Sequence, residues 1–98
     1  MSVPGGTTPL QQPDNETQTI TNQLKNEILQ QAGVEANVFE LVGYKSQVVA
    51  GTNFFLKIKI SDDQAIHARV FRPLPHTGEG PSVAGVKVVG LNEELNYF

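Results

Sequence analysis

The chain has 98 residues and a net charge of −3, a length that suits one domain over residues 1–98. It has no cysteine, which excludes disulfide staples and thiol catalysis. Its five Lys and two Arg read as scattered, without a basic run, which argues against nucleic acid as a partner because phosphate binding needs concentrated positive charge.

Residues 1–13 contain three Pro and two Gly, a composition that disfavours helix and central strand and predicts a flexible arm. Residues 1–6 lack the basic start and apolar stretch of a secretory signal, and no run approaches the length of a membrane span. A cytoplasmic protein with no membrane partner is the economical expectation.

Asp14 or Asn15 can cap a helix by accepting an otherwise unpaired backbone N–H. Ile20, Leu24 and Ile28 recur every four residues, with Thr17 and Thr21 beside them, while Gln18, Asn22, Lys25 and Asn26 fall away from the stripe. Gly33 supplies a stop. The pattern predicts one helix over residues 15–31. Asn15-Glu16-Thr17 matches a glycosylation sequon, a chance match in a cytosolic chain.

From Val38 onward the period becomes two. Strands are predicted over residues 38–46, 52–61, 65–71 and 83–89, the last loosened by Gly80, Gly85 and Gly90, which specify its register only weakly. Phe54, Leu56, Ile58 and Ile60 alternate with Phe55, Lys57 and Lys59, so one sheet face is strongly apolar and should receive the helix. Asp62-Asp63 marks a turn. The order predicts an α+β fold, an antiparallel β-sheet wrapped around one α-helix.

Two connections stand out. Gln47-Val48-Val49-Ala50-Gly51 places an apolar tip between two strands, where a solvent-facing turn is ordinarily polar. Such a tip is either tucked onto its own core or held out for a partner. Arg72-Pro73-Leu74-Pro75-His76 ends the third strand, since proline cannot donate to a ladder, and stiffens the turn that follows.

The tip resembles the central loop of the cystatins, inhibitors of papain-like cysteine proteases. Its flanks, Tyr44-Lys45-Ser46 and Thr52-Asn53-Phe54-Phe55, resemble the stefins, the intracellular branch. Leu74, Pro75 and His76 match the Leu-Pro segment of the stefins' second protease-contacting hairpin, where secreted cystatins usually carry Pro-Trp; this chain has no Trp. Secreted cystatins also carry disulfides, which a cysteine-free chain cannot form. Gly5, within Pro4-Gly5-Gly6, matches the stefin glycine that lets the arm pass close to the protease, which makes Val3 and Pro4 the candidate subsite residues. Residues 93–98 form a stefin-like ending whose aromatic side chains are expected to pack back on the domain, whereas strand 83–89 is more apolar than its counterpart in the family.

The resemblance implies the cystatin-like fold and reversible, tight-binding, non-covalent inhibition of papain-like proteases. The wedge would comprise Val3, Pro4 and Gly5; Gln47, Val48, Val49, Ala50 and Gly51; and Leu74, Pro75 and His76. Nothing in the sequence points to an enzyme. His67 and His76 are the only histidines, His67 falls in mid-strand, and there is no metal-ligand spacing or phosphate-binding glycine loop. No catalytic residue, metal or cofactor is expected. The alternative is a non-inhibitory interaction module or a self-associating protein, in which residues 44–59 of a normally monomeric chain open into one strand and exchange with a second copy.

Overall fold

The computed structural model describes residues 9–96 and residue 98. Its helical segment starts from Asp14, whose carboxylate accepts the Thr17 backbone N–H at 2.8 Å while the Thr17 hydroxyl accepts the Asp14 N–H at 3.0 Å. Of the two possible caps, Asp14 therefore takes the role, and the reciprocal bonds satisfy amides that the helix cannot pair itself. Helix α1 spans Asn15–Gln23 and α2 spans Lys25–Ala32.

The single helix expected over residues 15–31 is thus interrupted, at Leu24, where φ is −100° and ψ is 8°. One turn earlier the Thr21 hydroxyl donates to the Thr17 carbonyl at 2.7 Å, a side-chain bond of the kind that bends helices. The apolar stripe survives, because Leu24 N still bonds Ile20 O and Ile28 N still bonds Leu24 O. Ile20, Leu24 and Ile28 all remain buried. Gly33 ends α2 in the left-handed region, φ 71°.

Four strands follow: β1 Glu40–Val49, β2 Gly51–Lys59, β3 Gln64–Arg72 and β4 Ser82–Gly90. They form an antiparallel meander in the order β1-β2-β3-β4. Residues directly opposite in such a sheet share a face. Tyr44, Leu56, Ala68 and Val86 make one row across it, and Leu41, Ile58, Ile66 and Val88 another. Tyr44, Leu56, Ala68, Ile58 and Ile66 join Ile20, Leu24 and Ile28 in the core, so this is the face the helices cover. Each large aliphatic side chain buried there contributes about 1.5–3 kcal/mol.

The register also assembles the opposite face. Its rows are Gln47, Asn53, Phe71 and Ser82; Lys45, Phe55, Arg69 and Gly85; Gly43, Lys57, His67 and Lys87; and Glu40, Lys59, Ala65 and Val89. The alternation leaves this face to polar residues, yet Phe55, Ala65 and His67 are fully buried. The segment after β4 covers part of it. Leu95 is buried, and Phe98 packs edge-on to Phe55 with ring centroids 5.9 Å apart. Phe98 thus packs as expected, while Tyr97 lies outside the described residues. The basic residues are not scattered in space. Five of the seven, Lys45, Lys57, Lys59, Arg69 and Lys87, stand on this one face because cross-strand register joins positions far apart in sequence. Among the described residues, no helix is long and apolar enough to cross a membrane.

Candidate functional site

A meander sends successive connections to alternate ends of its sheet. The β1–β2 tip and the β3–β4 connection therefore share one end, and the turn at Ser61, Asp62 and Asp63 occupies the other.

The tip is tighter than its sequence suggests. Gln47, Val48 and Val49 pair with Asn53, Thr52 and Gly51, which leaves Ala50 alone at the bend. Residues 47–51 are thus largely strand, since Val48 and Val49 are β-branched and favour the extended ladder. Val48 is 76% exposed and Val49 44%. Ala50 is exposed as well, whereas Gln47 and Gly51 are buried. The Gln47 Oε1 accepts from Asn53 Nδ2 at 3.2 Å, a bond across the hairpin beneath the exposed valines.

Gly51 joins the two turns. Its φ is +121°, and a Cβ placed there would lie 2.6 Å from the Arg72 carbonyl oxygen and 2.8 Å from Phe71 Cζ. Only glycine permits this backbone to sit against the end of β3. Arg72 fixes that end from several sides. Its guanidinium pairs with Glu16 of α1 and lies over the Phe54 ring, 5.3 Å from the centroid. Its Nη2 also stands 3.5 Å from Thr52 Oγ1.

Beyond Arg72 the connection folds on itself. The Thr77 N–H and hydroxyl donate to the Leu74 carbonyl at 3.1 and 2.9 Å, and Gly78 N donates to the Pro75 carbonyl at 3.3 Å. These bonds close a 3-10 turn over Pro75–Thr77, with Pro75 in its first turn, where a missing N–H costs nothing. Leu74 is 41% exposed, and Pro75 and His76 are exposed beside it.

The chain before α1 also runs toward this end. Gln11 N donates to Tyr44 O at 2.8 Å and Tyr44 N to Gln11 O at 3.1 Å, an antiparallel bridge. Its sense directs Leu10 and Pro9 along β1 toward the tip. The Tyr44 hydroxyl donates to Asp14 Oδ2 at 2.8 Å, tying this bridge to the helix cap. The Thr17 backbone N–H, then the Thr17 and Tyr44 hydroxyls, hold the Asp14 carboxyl below its ordinary value, and the same bond to Asp14 pushes the Tyr44 phenol up. Val3, Pro4 and Gly5 lie outside the described residues.

The structure therefore brings two of the three expected segments to one end of the sheet. A hollow of about 500 Å³ lies elsewhere, between α1 and the start of β1, and includes Gln18, Phe39 and Val42 in its wall. None of the expected site residues lines it. His67 is no catalytic group. Burial, then the charges of Lys57 and Lys87, push its imidazole down to about 4, so it is neutral at ordinary pH. Sequence reasoning did not single out Arg72 or the bridge at Gln11. Neither has a local signal, because each works through partners distant in the chain.

A family profile described as the Cystatin domain matches residues 5–83. The chain is 35% identical over 95 residues to cystatin-B of Bos taurus, spanning 96% of this chain and 97% of the bovine protein. Cystatin-B of Macaca fuscata fuscata and of Homo sapiens are each 37% identical over 84 residues, 85% of this chain and 86% of either relative.

Proposed function

The chain belongs to the stefin branch of the cystatin family, inhibitors of cysteine proteases and not enzymes, and from that premise we propose that it blocks a papain-like cleft with a three-part wedge. The observation that carries the proposal is the joined end of the sheet, which the exposed Val48 and Val49 share with the Leu74 turn and where Gly51 packs against Arg72.

In this reading Val48, Val49 and Ala50 enter the groove. Gln47 and Gly51 act from beneath by holding the tip's shape. Leu74, Pro75 and His76 form the second contact, and Val3, Pro4 and Gly5 the third, as the end of an arm formed by residues 1–13. Val48 and Val49 would each contribute about 1.5–3 kcal/mol on burial, before the costs of association. Both turns are already bonded internally, so docking orders little that was free. The tight bend at Ala50 keeps its carbonyls from presenting an extended scissile bond, and binding is non-covalent and reversible. We assign residues 1–98 to one domain that acts as a monomer in the cytoplasm, consistent with its cysteine-free composition and stefin motifs.

Titration of papain with the protein tests this reading. A stoichiometric loss of activity is expected. Val48→Asp should weaken inhibition by several kcal/mol, because a carboxylate would enter an apolar groove without a partner. It should leave the thermal melt unchanged, since Val48 is 76% exposed. Full papain activity at micromolar protein would instead favour a non-inhibitory interaction module.

A further inference from the structure

The far face of the sheet carries Lys45, Lys57, Lys59, Arg69 and Lys87, and among the described residues none of them pairs with a carboxylate. Neighbouring strands lie about 4.8 Å apart and alternate residues about 6.8 Å apart, so each of these charges has a like neighbour within about 10 Å, roughly one screening length at 0.1 M salt. The other two basic residues, Lys25 and Arg72, share the rest of the molecule with seven of the ten carboxylates; Glu40 stands opposite Lys59 on this face, and Glu93 and Glu94 belong to the segment that lies over it. The molecule is therefore polarised, with a basic sheet face on an acidic body. Three polar atoms on that face are buried without a hydrogen-bond partner among the described residues: both ring nitrogens of the fully buried His67, and Arg69 Nε.

Part of the face already holds a peptide, the chain's own last segment. Lys57 Nζ donates to the Glu93 carbonyl at 3.3 Å, and Lys87 Nζ stands 4.8 Å from the Phe98 centroid. Leu95 is buried, and with Leu10, Lys45, Lys57 and Glu94 it borders a hollow of about 320 Å³. A segment with apolar anchors thus lies along this face, held through a backbone carbonyl and a ring while the lysine charges keep no carboxylate partner among the described residues.

We propose that this face is a second binding surface, separate from the wedge, that takes an acidic peptide segment of a partner protein. Carboxylates along an extended segment would reach Lys45, Lys59 and Arg69. A segment that displaced Leu95 and Phe98 would also bring acceptors to the Arg69 Nε–H and the His67 N–H. A short peptide stays within the width of four strands. A long polyanion such as nucleic acid would overhang the sheet and meet the acidic body.

The test is an NMR titration of the ¹⁵N-labelled full chain with octaglutamate at about 20 mM salt, where surface charge is weakly screened. The expected amide shifts centre on Lys45, Lys57, Lys59, Arg69 and Lys87 and spare the wedge end. Lys59→Glu with Lys87→Glu should weaken binding on the order of tenfold while papain inhibition is retained. The pair Lys59→Gln and Lys87→Gln should fall between, and carries the test if the reversed pair does not fold. Three results would overturn the proposal: no saturable binding, shifts centred elsewhere, or binding indifferent to both pairs. Tighter binding of an oligothymidylate of equal charge would overturn the choice of partner.

Discussion

At Gly51 backbone conformation and packing make the same demand. A φ of +121° strains any side chain, and a Cβ would stand 2.6 Å from the Arg72 oxygen. Gly51→Ala should therefore destabilise the protein by about 2–4 kcal/mol and weaken papain inhibition together, because the strained tip moves off the second turn. A thermal melt beside an inhibition constant checks both. His67 governs a different property. Its folded value of about 4 lies below the ordinary 6.5, so between those limits the unfolded chain binds a proton that the folded chain refuses. Stability should fall as the pH drops from 6.5 to 4, by about 3 kcal/mol in all, and this contribution should change no further below 4. Urea unfolding at several values across that window measures the slope, and His67→Leu should flatten it.

Among the elements, the β1–β2 hairpin has the most to lose or exchange. Ala50 is the single unpaired residue between two long strands, so straightening it would turn the hairpin into one strand able to pair with a second copy. Mild heating and cooling should yield some dimer that does not inhibit, because its tip is gone. Size-exclusion chromatography with an assay of each fraction decides the point, and a fully inhibitory dimer would rule out this hinge. The elements differ in how plainly the sequence displays them. The helix stripe, the Gly33 stop and the strand alternation are local patterns and could be read directly. The break at Leu24 could not, since it follows a hydroxyl-to-carbonyl bond that composition does not reveal. Nor could the short tip, where the strand preference of Val48 and Val49 prevails over the turn that an apolar, glycine-ended segment suggests.

For the whole molecule, the bridge at Gln11 directs Leu10 and Pro9 toward the same end of the meander as the tip. If the arm docks after both turns engage, deleting residues 1–6 should raise the dissociation rate and leave association within about tenfold. Stopped-flow kinetics on the truncated protein test this; a collapse of association with unchanged dissociation would reverse the docking order. The segments proposed for the wedge could be picked out in the sequence because each is a contiguous motif. The basic face could not, because it exists only once four strands are in register. The one-residue bend at Ala50 has a further consequence, for survival. A protease cuts an extended chain, and Val48 and Val49 are held in a ladder against Thr52 and Gly51. Cleavage would first require the hairpin to peel apart, and the exposed tip offers no slack for local fraying. The persistence of the protein beside a proteolytic target would then be set by its own unfolding rate, and kinetic stability would become part of its potency.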